Sequence, residues 1–375
     1  MKLDEYKKIV FLGGGILANR LYDQIYDIEN KLVGVVDLLD DNSRQIKEFK
    51  GHKIINANDY IDVLKSSDVA VLVAVGHYAV YKIVEDFVLK FSFIEDRLFV
   101  VNPYCSLRFF CVDDDLASDK RIPFKDSRYG DVKKMLNDNL SIDIFNLLIN
   151  SKPFENNSDT YEIIPYIKLK KMYWYTEDYW NTYYFDDDIN NIEATVLDCG
   201  AYIGDSVLNI CNAIPEKDIY YYAMEPLKDN IEVINNTKEF WDVCKEFKVY
   251  ECGVGKKDDK MYFKLPENGY KEGGRFVKES SDNIETLEIR AIDNLDIDVK
   301  GTLYIKMDIE GAEMDALYGA QDIIKKYHPY LAICLYHRKN DLVDIPLYVK
   351  SLYSNYRIYL RGGYHTIMWA IPDNY

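Results

Sequence analysis

The stretch "LYIKMDIEGAEMDALYGA" sets Lys306, Asp308, Glu310 and Glu313 around Gly311, directly after a run of apolar residues. Four ionisable groups beside a buried strand are costly unless they find partners or a polar ligand. Further on, "YLAICLYH" closes on His337. An imidazole there could take a proton near neutral pH. Asp308 or Glu310 could serve as the base instead, or orient the hydroxyls of an acceptor. His337 equally suits a hydrogen-bonded structural role. Glu313 reads as a first-turn helix acid favoured by the dipole, and Lys306 reads as the partner of Asp308. A divalent metal held by Asp308, Glu310 and His337 is chemically allowed, but the pattern assigns no metal site.

A second chemical stretch is "VLDCGAYIGDS". Apolar residues lead to Asp198, then to a turn through Gly200, Ala201, Tyr202 and Gly204. In open α/β sheets ligands sit beyond the carboxyl ends of the strands. A bare Gly200 would let backbone approach a ligand, and Gly204 would permit tight entry into a helix. Asp198 could hold an ammonium group. "YAMEP" ends the next strand and supplies Glu225, whose carboxylate could accept from ribose hydroxyls. "ECGVG" places Cys252 and Gly253 where a nucleobase would lie. An amine, a ribose and a base without a diphosphate fit S-adenosylmethionine better than NAD, since the turn lacks the three-glycine phosphate grip.

"FLGGGILA" near the start offers a different turn, with Gly13, Gly15 and Ala18 after a strand and Asp37 ending the next one. That arrangement suits a second nucleotide or nucleotide-sugar. It suits equally a scaffold used for dimerisation, and hence a homo-oligomer, or for presenting an acceptor. His77 is the one candidate there for hydride chemistry.

Strands and helices must position these groups. Residues 1–105 alternate between apolar strands and amphipathic helices, which implies a parallel sheet covered on both faces. Residues 106–190 read as a helical and aromatic connector, with Ser141 capping "IDIFNLLIN" and an aromatic cluster "YWYTEDYWNTYYF" more suited to packing than to a pocket. Residues 191–375 restart the alternation. "KMYFKL" and "TLEIRAI" predict added strands between residues 256 and 295, and two final strands predict an antiparallel pair. The fold class is α/β, with two Rossmann-like domains.

The bulk numbers narrow the field. A chain of 375 residues exceeds one ordinary core. A net charge of −17 disfavours nucleic acid and anionic membranes as partners. No apolar run approaches a membrane span, and no signal-peptide pattern opens the chain. Seven scattered cysteines without a Cys-x-x-Cys pair suggest reduced thiols and a cytoplasmic setting.

Residues 160 to 372 resemble the FkbM-type S-adenosylmethionine-dependent methyltransferases, through "VLDCGAYIGDS", "YAMEP", "RAIDNL", "YIKMDIEGAEMDALYGA" and "YHPYLAICLYH". The resemblance implies a class I methyltransferase fold with a reversed final strand. It also implies O-methylation of a hydroxyl on a sugar, nucleotide-linked sugar, glycan precursor or natural product. An NAD-dependent oxidoreductase using the first glycine turn and a non-catalytic nucleotide-binding protein are the alternatives.

Overall fold

The computed structural model describes residues 2–39, 46–75, 80–101, 127–150, 163–167, 192–264, 275–277, 284–338, 340–362 and 366–373. His77, the Cys105–Cys111 segment and the aromatic cluster of the connector lie outside them. The chain divides into two compact units, Met1–Leu107 with Leu147–Glu177, and Arg108–Asn146 with Asp178–Tyr375.

In the first unit the strands are β1 (Lys8–Leu12), β2 (Leu32–Asp37), β3 (Glu48–Phe49), β4 (His52–Asn56), β5 (Val69–Val73), β6 (Leu98–Val101) and β7 (Ile163–Pro165). They form one sheet in the order β3-β4-β2-β1-β5-β6-β7. Its middle strands are parallel and its two edges antiparallel. β1 and β5 are buried almost throughout, as continuous apolar strands covered on both faces should be. The glycines after β1 are fixed chiefly by packing. Gly13 has φ +97°, and a Cβ on it would fall 2.7 Å from Val75 Cγ2. A Cβ on Gly14 would fall 2.5 Å from Ile54 Cδ1, whereas one on Gly15 would meet nothing within 4 Å. Asp37 ends β2, and its Oδ1 accepts the N–H of Leu39.

The second unit holds β8 (Glu193–Cys199), β9 (Asp218–Met224), β10 (Glu246–Tyr250), β11 (Gly253–Val254), β12 (Asp259–Lys264), β13 (Arg275–Val277), β14 (Ile284–Arg290), β15 (Thr302–Met307), β16 (Tyr330–Cys334), β17 (Tyr356–Arg361) and β18 (Ile367–Pro372). Seven of them make the main sheet, in the order β10-β9-β8-β15-β16-β18-β17. All its pairings are parallel except those of β18, which runs antiparallel between β16 and β17. The strands expected between residues 256 and 295 form a separate small sheet, β11-β14-β12-β13.

Several elements differ from the sequence expectation. The alternation read over 191–375 does not mark where helices break: 227–244 holds two, Lys228–Asn236 and Lys238–Val243. Between them Thr237 is extended, and its hydroxyl donates to the carbonyl of Val233. The stretch 313–327 likewise holds two helices, Glu313–Tyr318 and Gln321–Tyr327. Gly319 sits at the break because a Cβ there would lie 2.1 Å from the Gly255 carbonyl. Ser141 is not the cap of its helix, which spans Asn139–Asn150. Asp138 takes that role, accepting the N–H of Ser141 at 2.7 Å. The Ser141 hydroxyl instead accepts from Leu360 N and from Arg361, which docks this helix against β17.

Candidate functional site

At the carboxyl edge of the second sheet, β8 and β15 lie side by side with Asp198 directly opposite Lys306. Asp198 has 0% of its surface exposed. One oxygen meets the Lys306 ammonium at 2.7 Å, and the other accepts from Tyr221 Oη at 2.6 Å and Ser206 Oγ at 3.3 Å. Lys306, buried with 5% of its surface exposed, also donates to the carbonyl of Gly200 at 2.7 Å. Burial alone would lower the Lys306 pKa, but Asp198, Asp308 and Asp205 outweigh it and raise the value. The pairing foreseen between Lys306 and Asp308 therefore gives way to one across the strands. The ammonium that Asp198 holds is the chain's own.

The turn after β8 is shaped by close approach. Gly200 has φ +80°, and a Cβ on it would fall 2.0 Å from the Asp308 carbonyl. What comes close there is the end of β15, where a ligand had been expected. Gly204, at φ +85°, faces the ring of Phe240, with 2.2 Å between its would-be Cβ and Cε2. Ala201 is buried beneath the turn. Tyr202 adopts a left-handed conformation at φ 49° and donates its N–H to Glu225 Oε2 at 2.9 Å. Non-glycine residues in that region carry strain of about 1–3 kcal/mol and cluster at ligand sites.

Glu225, at the end of β9, is buried. Its other oxygen accepts from Leu227 N at 3.0 Å and Asn230 Nδ2 at 3.1 Å. Burial pushes its pKa up, against the pull of these donors. With Tyr202 they occupy, among the described residues, three of the roughly four acceptor positions of a carboxylate. Cys252 is buried, with its thiol pushed up to about 11 by burial. Gly253 begins β11, where a Cβ would fall 2.8 Å from Ile289 Cδ1.

The acids after β15 converge on one ring. His337 lies three residues past β16, in the loop rather than on the strand, and is 1% exposed. Its Nε2 is 3.5 Å from Asp308 Oδ1 and 3.7 Å from Glu310 Oε2. Its Nδ1 is 2.7 Å from Glu313 Oε1. Burial would lower the imidazole pKa, but Glu313, then Asp308 and Glu310, carry it to about 9. At neutral pH the ring is an imidazolium, so its use as a base requires something to draw that proton off. Asp308 is partly exposed and accepts from Tyr336 Oη at 2.9 Å. The Glu310 side chain is 61% exposed, on a backbone at φ 54°.

Two groups here escaped the sequence reading. Glu313 reads as a first-turn helix acid and does open its helix, yet it is fully buried and also accepts from Ile309 N at 3.0 Å. The His337 that claims it lies far along the chain, so spacing could not reveal the pair. Asp341 is buried too, accepting from Arg338 N at 2.7 Å, and burial followed by Glu313 raises its carboxyl to about 8. Asp308, Glu313 and His337 bring one donor atom each within 4.8 Å of one another. The shortest contact among them, Glu313 Oε1 to His337 Nδ1 at 2.7 Å, is at hydrogen-bond distance.

A seven-stranded sheet whose antiparallel strand lies second from one edge, with acids ending its first two strands, is the Rossmann-like methyltransferase fold. Residues 198–358 match the model of the methyltransferase FkbM domain. A methyltransferase FkbM structure from Methylobacillus flagellatus KT superimposes over 98% of this chain and 90% of its own, at 19% identity and TM-score 0.50. An rRNA methylase from Streptococcus thermophilus covers 52% of this chain and 90% of itself, at 12% identity and TM-score 0.31. SMU.1697c of Streptococcus mutans, solved with SAH, covers 52% and 94%, at 12% identity and TM-score 0.27. Against curated proteins the sequence has no match. The residues that match this model lie within the second unit. Among the described residues, no helix is long and apolar enough to cross a membrane.

Proposed function

We propose that the chain transfers a methyl group from S-adenosylmethionine to a hydroxyl of a sugar, nucleotide-linked sugar or glycan precursor. The observation that carries this reading is Glu225, a buried carboxylate locked by three donors at the end of the second strand with, among the described residues, one acceptor position left for a ribose hydroxyl. In this reading Tyr202 and Gly204 shape the wall beside the donor, and Cys252 and Gly253 flank its base. Asp198 acts at one remove, by fixing Lys306 and through it the Gly200 carbonyl.

Methyl transfer is an in-line displacement whose rate depends heavily on holding donor and acceptor in register. Glu310, exposed and beside His337, is suited to orient acceptor hydroxyls. Asp308 accepts from Tyr336 and faces the ring, which suits it to relay or receive a proton. The excess of carboxylates disfavours an acceptor that brings phosphate to this spot. On a nucleotide-linked sugar, the sugar end would enter. The test is incubation of the intact protein with methyl-labelled S-adenosylmethionine and a panel of free sugars, nucleotide-sugars and oligosaccharides. Label in a sugar product supports the reading. Label only in amines or nucleic acid overturns the acceptor class.

For the first unit we propose a presenting or scaffold role. Asp37 is engaged by its own turn, and Gly13 and Gly14 are explained by the side chains packed on them.

A further inference from the structure

Glu313 is the fixed point of the acidic cluster. It opens the helix Glu313–Tyr318, is buried completely, and is anchored by the N–H of Ile309. Its Oε1 lies 2.7 Å from His337 Nδ1, while its Oε2 is buried with no hydrogen-bond partner among the described residues. A buried carboxylate oxygen without a donor is expensive, and the charge of the adjacent ring is what offsets it. The ring's other nitrogen points to Asp308 and Glu310. Tyr336 packs on the ring at 4.2 Å between centroids, and Asp341 with Arg338 completes the charged surroundings.

We infer that Glu313 is a positioning residue: it holds Nδ1–H of His337, so that Nε2 is the nitrogen presented to the acceptor hydroxyl. This rests on the methyl-transfer reading. As the acceptor oxygen attacks, its O–H bond breaks and the proton passes to Nε2. The oxygen pair forms the C–O bond to the methyl carbon. The S–C bond breaks, and its electrons remain on sulfur as a neutral thioether. The new imidazolium is stabilised by Glu313 on one side and Asp308 on the other, and the partly exposed side beside Glu310 gives the proton a way out. Before that step the resting ring must lose its proton, and the positive sulfonium of an arriving donor favours that loss.

The experiment is ¹⁵N NMR of histidine-labelled intact protein, with His337 assigned by His337→Gln, as wild type and as Glu313→Gln. The glutamine keeps an oxygen for the N–H of Ile309. In wild type the neutral ring is expected to carry its proton on Nδ1 and to titrate near pH 9. In Glu313→Gln, whose Oε1 can still accept from Nδ1–H, the pKa should fall by at least one unit because the facing charge is lost. A wild-type neutral ring protonated on Nε2, or an unchanged titration in the variant, overturns the assignment. So does a ring that binds added Mn²⁺ in place of its proton. These readouts need no turnover, so they can hold even if labelled methyl reaches no sugar, which would defeat only the functional reading. Where transfer is seen, Glu313→Gln should lower kcat by roughly 10²–10⁴-fold, the span of a general base, with its pH optimum displaced. A kcat within twofold of wild type counts against the role.

Discussion

His337 and Asp341 show how single side chains take their character from neighbours. Both have folded-state pKa values above their ordinary ones, so the native state binds the extra protons and loses stability as pH rises. For Asp341 that loss runs from about pH 4 to its folded value near 8, and for His337 from about pH 6.5 to near 9. Asp341→Asn is expected to keep the acceptor for Arg338 N, raise the melting temperature at pH 8, and flatten the decline between pH 5 and 8. Thermal denaturation across that range checks it, and an unchanged slope would contradict it. At the other end of the site, Lys306→Met would strand a buried Asp198 carboxylate. A cost of about 3–5 kcal/mol in chemical denaturation is expected, with partial recovery in the double variant carrying Asp198→Asn. The acids and the histidine were legible in the sequence as chemistry-bearing residues. Their pairings were not, because Lys306 reaches Asp198 and Glu313 reaches His337 only through strands and loops distant along the chain.

At the scale of elements, alternation of apolar runs showed where the sheets would lie, and two closing strands showed the reversed pairing of β18. Boundaries were less legible. A continuous amphipathic pattern over 313–327 hid the break at Gly319, whose cause is the Gly255 carbonyl on another element. Gly200 behaves the same way: its need for a bare Cα comes from Asp308, on the neighbouring strand's exit. Gly200→Ala is therefore expected to be poorly folded, since the clash at 2.0 Å is with backbone. Gly204→Ala meets a side chain, so its loss of stability should shrink when combined with Phe240→Leu. Denaturant midpoints of the single and double variants would show it, and additive losses would contradict the packing account.

The whole molecule departs from a simple reading of two domains and a connector. The second unit is assembled from two separated stretches, Arg108–Asn146 and Asp178–Tyr375. Arg361, 0% exposed on β17, is held by Asp138 and Ser141 from the first of these. Burial would raise the Asp138 pKa, but Arg361 and Ser141 lower it on balance. A fragment beginning at Asp178 leaves that guanidinium buried without its carboxylate. It is expected to be less soluble, and to melt lower, than one that retains the helices from 127 onwards. Equal melting temperatures would show that the helices contribute little. Sequence could not foresee this, since nothing in the 127–150 pattern names its partner strand.

The central claim is that the ends of β8 and β9 hold S-adenosylmethionine, with Glu225 taking a ribose hydroxyl. Isothermal titration of the intact protein with S-adenosylhomocysteine, beside Glu225→Ala and with NAD as a control ligand, tests it most directly. The expected result is saturable binding by wild type, weakened about 10- to 100-fold in the variant as for loss of a hydrogen bond to a charged acceptor, and no heat from NAD. Equal affinity in wild type and variant, or binding of NAD alone, would contradict it.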